Sequence, residues 1–188
     1  EGMTRYARQL NPQKNIQWLC GDAENLPLPV ASVDAIFSSL AVQWCENFAA
    51  VLIEAARVLK PGGCAVIATL GPQTLHEMRC AWAAVDQHIH VNPFLARVDI
   101  EKAIRSAGLH VASWDEEILT FEYAELRELT RELKALGAHN VNSGRPPGLT
   151  GRARVRALQA AYESQRNAGG KLPATYQVWY LTLEKANA

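Results

Sequence analysis

Along the chain, short dense apolar runs alternate with amphipathic stretches of helical period, the pattern of a layered α/β fold. Residues 2–10 read as a helix, and residues 16–20 and 33–38 as strands, the second apolar on both faces as in parallel sheets. Asn47 is placed to cap a helix reaching about Leu59. Phe48, Val51, Leu52, Ala55, Val58 and Leu59 share one stripe of it. Lys60-Pro61-Gly62-Gly63 ends that helix, because Pro cannot continue it and Gly accepts positive φ. Cys64 to Leu70 is a further buried strand, so strand, helix, Pro-Gly-Gly and strand form a right-handed parallel crossover. Helices are predicted over residues 74–88, 99–107, 125–136 and 150–166, the last capped by Thr150. Strands are predicted within residues 109–121 and over 175–183. Residues 138–149, rich in Gly, Pro and Asn, make a loop long enough to carry function. The pattern describes one domain over residues 1–188 with an incomplete doubly wound sheet. Its first strands are expected to precede residue 1.

Composition narrows the picture. With 188 residues and 48% hydrophobic positions there is ample material for a core. Lys plus Arg and Asp plus Glu number 19 each, and the absence of a basic surplus argues against nucleic-acid binding. Cys20, Cys45, Cys64 and Cys80 are widely spaced, which argues against a zinc site or a disulfide framework. Three of them read as small buried hydrophobes, in keeping with a reducing cytosol and a cytoplasmic location. No apolar run approaches the roughly 20 residues of a membrane span, so no membrane partner is expected.

Two stretches carry candidate chemistry. Gly21-Asp22-Ala23-Glu24-Asn25-Leu26-Pro27-Leu28 is an acidic loop after an apolar run, and Asp34-Ala35-Ile36-Phe37-Ser38-Ser39-Leu40 is a strand ending in small polar residues. In an open α/β sheet such carboxyl ends lie side by side, where these folds bind ligands. An Asp there can accept a hydrogen bond from an adenine amino group. Asp also favours helix caps and turns, but the two flanking strands favour the ligand reading for Asp22. His76, His88, His90 and His139 lack the spacing of metal ligands, and no Ser-His-Asp or Cys-His set is evident, so no metal is expected.

The order acidic loop, strand ending Ser-Ser-Leu, helix, Leu-Lys-Pro-Gly-Gly, strand resembles the class I S-adenosylmethionine-dependent methyltransferases, which are Rossmann-like. Ala41-Val42-Gln43-Trp44-Cys45, Thr69-Leu70-Gly71-Pro72-Gln73-Thr74-Leu75-His76-Glu77, Ala135-Leu136-Gly137-Ala138-His139-Asn140-Val141-Asn142 and Leu172-Pro173-Ala174-Thr175-Tyr176 resemble one subfamily, the malonyl-acyl-carrier-protein O-methyltransferases of biotin synthesis. The likeness covers essentially the whole chain. It departs from the family pattern in two places. The Gly-rich cofactor loop and the acidic ribose-binding residue are not in this chain, and Val91-Asn92-Pro93-Phe94 has Pro where the subfamily has Arg.

The resemblance implies an enzyme that methylates the free carboxylate of malonyl-acyl carrier protein with S-adenosylmethionine, giving the ester that primes pimeloyl formation. It implies cofactor contacts at Asp22, Ala23, Glu24, Ser38, Ser39 and Leu40. Substrate candidates are Gln43, Trp44, His139 with Asn140, and Arg145 as a carboxylate clamp. Arg152, Arg154 and Arg156 are candidate docking residues for the acidic carrier, with Arg152 and Arg156 on one helical face. Helical elements over about 74–97 and 123–166 are expected to form a lid. Two alternatives share the fold: a protein-modifying, arginine hydroxylase-like enzyme, and a non-catalytic assembly factor.

Overall fold

A computed structural model of the chain describes residues 2–12, 15–137 and 151–187. The element order is α1 (Gly2–Leu10), β1 (Val33–Ser39), a 3-10 turn (Val42–Trp44), α2 (Phe48–Val58), β2 (Leu59–Leu70), α3 (His76–Ala83), α4 (Arg97–Ser106), β3 (Leu109–Tyr123), α5 (Leu126–Ala135), α6 (Arg152–Glu163) and β4 (Leu172–Lys185). The strands form one mixed sheet in the order β1-β2-β4-β3. β1 and β2 are parallel, with Ser38 opposite Ile67 and Ser39 opposite Ala68. β4 runs antiparallel to both β2 and β3.

The parallel crossover forms as its residues dictate. Asn47 takes an extended conformation and its side chain accepts the Ala50 N–H, which caps α2. Phe48, Val51, Leu52, Ala55 and Val58 are buried from that helix. The chain then bulges through residues 60–63 before pairing with β1 resumes at Cys64. Gly62 has φ +73°, and a Cβ on Gly63 would sit 2.8 Å from the Asp34 carbonyl oxygen, so glycine is required at both.

Two hydrophobic cores result. The first lies between one sheet face and the helices α2 and α4, and includes Leu52, Leu59, Ala65, Ile67, Ile100, Ile104, Trp179, Leu181 and Leu183. On the opposite face Phe37 is 78% exposed, beside half-covered Val66 and Tyr180. The second core lies past the end of β2. Pairing of β2 with β4 stops at Leu70 and Val178, so the rest of the β3–β4 ribbon extends beyond. α3, α5 and α6 pack there through Met78, Ala81, Leu126, Leu129, Leu158 and Tyr162, against Tyr123, Leu172 and Ala174.

Several boundaries differ from expectation. Residues 16–20 are not a strand, because no described strand lies beside them to pair with. The helix expected over residues 74–88 spans only His76–Ala83. Leu75, at φ 52°, breaks its start, and Asp86 closes a turn by accepting the His88 N–H. α4 begins earlier than expected, at Arg97, where Arg97 pairs with Glu101 at 2.9 Å and its guanidinium lies 4.4 Å from the Trp114 ring centroid. β4 is longer at both ends because β3 pairs with it throughout. None of the cysteines is fully buried: Cys20 and Cys80 are exposed, Cys45 and Cys64 intermediate, and none is joined in a disulfide. Among the described residues no helix is long and apolar enough to cross a membrane.

Candidate active site

The acidic loop folds on itself and is bolted to α2. The Asp22 carbonyl accepts the Asn25 N–H at 3.1 Å, and Asp22 Oδ1 accepts the Glu24 N–H at 2.9 Å. Its turn-capping role is therefore real, but it occupies one oxygen. Asp22 Oδ2 and the Ala23 N–H take no hydrogen bond among the described residues. An acceptor beside a donor, on adjacent residues of an exposed loop, fits the amino group and ring nitrogen of an adenine edge. Glu24 is engaged elsewhere: its Oε1 accepts the Asn47 N–H at 2.9 Å, which ties the loop to the start of α2. Glu24 thus supports the loop through one of its two carboxylate oxygens.

Two residues that sequence reasoning passed over complete the bolt. Arg57 donates to the Leu26 and Leu28 carbonyls, each at 2.8 Å, and to the Glu54 carboxylate, while Glu54 Oε2 accepts the Leu26 N–H at 2.8 Å. The hydrogen bond from Arg57 holds the Glu54 carboxyl below its usual range against the opposing pull of burial. Their spacing of three along α2 was the available signal.

The ends of β1 and β2 face this loop's side of the molecule. Leu40 follows β1 at φ 49°, with its N–H on the Ala68 carbonyl at 2.9 Å. A left-handed conformation at a branched residue is strained, and such strain concentrates at functional sites. Its carbonyl accepts Gln43 Nε2 at 2.7 Å, while the Gln43 Oε1 is buried with no partner among the described residues. Burial, then Glu24 and Asp22, push the Cys45 thiol up. That makes Cys45 a neutral thiol near the acidic loop and a poor nucleophile. Ser38 and Ser39 end the strand at this same edge.

Beside these strand ends lies a cavity of about 370 Å³ with mainly apolar walls. Trp44, Leu75, Met78, Trp82, Phe94 and Leu158 supply most of them, and His90, Thr130 and Lys134 are among its few polar members. Trp44 is 44% exposed and forms part of this wall, so it is not a core residue. Phe94 also borders a smaller cavity of about 170 Å³, which Gln43, Cys45 and Thr69 line. Gln43 and Trp44 thus stand between the acidic-loop side and the apolar pocket.

The segment after β2 is held rigidly. Gln73 N–H donates to Gln177 Oε1 at 2.9 Å, and a Cβ on Gly71 would collide with the Gln177 side chain. Gln177 Nε2 and Trp179 Nε1 both donate to Glu116. Buried Glu77 accepts the Thr175 N–H at 3.1 Å and its hydroxyl, pinning α3 to β4. Arg79 clasps the Pro72 and Thr74 carbonyls.

The arginine run divides. Arg152, Arg154 and Arg156 are all exposed, and among the described residues only Arg154 approaches a carboxylate, with its Nε 3.9 Å from Asp86 Oδ2. His139, Asn140, Arg145 and the Thr150 cap lie outside the described residues. Among the described residues no group of three or more His, Cys, Asp or Glu could hold a metal ion.

Comparison with known proteins adds a second line of information. Residues 1–67 match the family model described as a methyltransferase domain. The chain is 51% identical over 185 residues to the biotin biosynthesis bifunctional protein BioHC of Cellvibrio japonicus, covering 98% of this chain and 36% of that protein. It is 39% identical over 186 residues to the malonyl-acyl-carrier-protein O-methyltransferase of Methylococcus capsulatus, covering 98% of this chain and 68% of that protein. The chain therefore spans about a third of the first relative's length and about two thirds of the second's. Among solved structures, an S-adenosylmethionine-dependent methyltransferase from Mesorhizobium loti superposes with a TM-score of 0.54 at 15% identity, covering 98% of this chain and 76% of that one. At that identity the likeness concerns the fold alone.

Proposed function

The chain belongs to the malonyl-acyl-carrier-protein O-methyltransferase family, and from that premise we propose that it methylates the free carboxylate of malonyl carried on an acyl carrier protein. The methyl donor in this proposal is S-adenosylmethionine, and the product is the malonyl methyl ester of biotin synthesis. The observation that carries it is identity of 39% sustained across 98% of the chain to a relative named for that reaction. The open acceptor of Asp22 and the open donor of Ala23 support an adenine contact at the acidic loop.

S-adenosylmethionine, when bound, supplies a methyl group on a sulfonium centre. Asp22 and the Ala23 N–H would hold the adenine edge, and the backbone around Ser38, Ser39 and Leu40 would face the methionyl part. No side chain of this protein has to remove a proton, because a carboxylate with a pKa near ~4 is already ionised at neutral pH. That agrees with a thiol at Cys45 that burial keeps neutral. The protein's task is then alignment and exclusion of water. Alignment of reacting groups can supply roughly 7–11 kcal/mol in favourable cases. Charge is neutralised as the methyl moves from a cation to an anion, so a dry apolar wall such as Trp44 favours the transfer.

The apolar cavity next to Trp44 is the proposed seat of the acyl thioester, under a lid built from residues 74–97 and 123–166. Arg145 is the proposed clamp for the malonyl carboxylate, with His139 near the acyl carbonyl. Arg152, Arg154 and Arg156 are the proposed docking residues for the acidic carrier. A cytoplasmic setting is proposed, and four cysteines without a disulfide support it. A kinetic test of the clamp is Arg145→Ala, which should raise KM for the malonyl carrier or lower kcat. Unchanged kinetics would remove Arg145 from the site.

A further inference from the structure

The connection between α3 and α4 holds a second polar arrangement in the wall of the apolar cavity. His90 Nε2 lies 2.7 Å from Asp86 Oδ1. The imidazole stacks on Trp82 with centroids 3.5 Å apart and planes within 6°. Its side chain is only 7% exposed. One ring face and one ring nitrogen are thus both fixed. Asp86 is itself anchored, since the same oxygen accepts the His88 N–H at 2.9 Å. Burial pushes the Asp86 carboxyl up, but the His88 N–H and the His90 ring outweigh it and hold it below its ordinary value. At neutral pH Asp86 is therefore a carboxylate that accepts the Nε2 proton.

The remaining nitrogen, Nδ1, takes no partner among the described residues, although His90 lines the cavity of about 370 Å³ together with Trp44 and Leu75. A neutral imidazole that gives its Nε2 proton to a carboxylate presents Nδ1 as an acceptor. In a mainly apolar wall, such an acceptor is a point where a ligand donor can be recognised. The arm that carries an acyl thioester on a carrier protein has amide N–H groups along an otherwise flexible chain, and these are donors that Nδ1 can accept.

We propose that His90 contacts the substrate, its Nδ1 accepting an amide N–H of the carrier's thioester arm, and that Asp86 is the positioning residue that fixes the ring for this. The inference rests on the malonyl-carrier substrate proposed above. It places the arm across the Trp82–His90 wall and the malonyl end toward Trp44.

The test uses the intact protein with malonyl-acyl carrier protein and compares His90→Asn, His90→Gln and His90→Phe. Asn places a polar atom where Nδ1 sits, Gln places one where Nε2 sits, and Phe keeps only the stack on Trp82. The expected result is a rise in KM for the malonyl carrier of about five- to tenfold in the Phe and Gln variants, the scale of one lost hydrogen bond. The Asn variant, which keeps the acceptor but loses the tie to Asp86, should fall between the wild type and the other two, with S-adenosylmethionine affinity unchanged in all three. A purely structural tie to Asp86 gives the opposite order, with Gln outperforming Asn, and that result or equal recovery by both overturns the inference. The Asn and Gln comparison decides the matter even if the Phe variant melts early. A wild-type protein that forms no methyl ester overturns the proposed reaction and this inference together. A wild-type protein that forms the ester, with no KM change in any variant, overturns the inference alone.

Discussion

The two oxygens of Asp22 are engaged differently. Oδ1 closes the loop on the Glu24 N–H, and Oδ2 points to no protein donor among the described residues. Replacing Asp22 with Ala removes both, whereas Asn keeps an acceptor for the turn. Calorimetric titration with S-adenosylmethionine should show affinity falling roughly 10- to 100-fold in Asp22→Ala, as expected for loss of a charge-assisted hydrogen bond. Asp22→Asn should fall less. Equal affinity in Asp22→Ala and wild type would remove the adenine contact. Trp44 is the proposed contact of the other reactant. Trp44→Ala should raise KM for the malonyl carrier roughly 3- to 10-fold and leave cofactor affinity unchanged, because Trp44 walls the apolar cavity. A matching loss of cofactor affinity would place it on the wrong side of the site.

At the scale of elements, the acidic loop is positioned by α2 and not by a neighbouring strand. Glu54 and Arg57 hold Leu26 and Leu28. The Glu54 carboxyl lies below its ordinary value of 4.5, chiefly through its hydrogen bond with Arg57. A depressed carboxyl contributes stability above its unfolded value and loses it as the pH falls through the folded one. Cofactor affinity should therefore drop in acid below about pH 4.5, and Glu54→Gln should weaken binding at neutral pH while flattening that acid limb. Titrations over pH 3 to 7 check both (an acid limb unchanged by the substitution assigns it to another group). This bolt was not legible in the sequence, since Glu54 and Arg57 look like any exposed i, i+3 pair until the loop is seen against them. Helix α2 was legible almost to the residue, because Asn47 and Lys60-Pro61-Gly62-Gly63 mark both ends chemically. Residues 16–20 misled because apolar character does not say whether a pairing strand is present. The helix after β2 misled because neither the left-handed Leu75 nor the turn closed by Asp86 is written in periodicity. The ends of β1 and β2 were placed correctly, but the Asp86–His90 pair was passed over because only the fold brings it to the cavity.

At the scale of the whole molecule, the two cores should respond differently to alkali. Tyr123, Tyr162 and Tyr176 border the second core, and burial first, then nearby Glu132 or Glu77, raises each phenol, Tyr176 to about 12. A raised phenol stays neutral in the fold and ionises more readily once unfolded. Stability therefore falls as the pH climbs from about 10 toward 12. Melting curves between pH 8 and 12 should show this decline, and Tyr162→Phe should make it shallower despite losing its hydrogen bond to the Pro173 carbonyl. A decline equally steep in the variant would move the cause away from this core.

The central claim joins the acidic loop and the apolar cavity in one reaction, and intact mass spectrometry tests it most directly. The intact protein is incubated with S-adenosylmethionine and malonyl-loaded acyl carrier protein. The account predicts a gain of one methylene on the malonyl group, abolished or much reduced in Asp22→Ala. Cofactor binding with no mass gain on the malonyl carrier would contradict it.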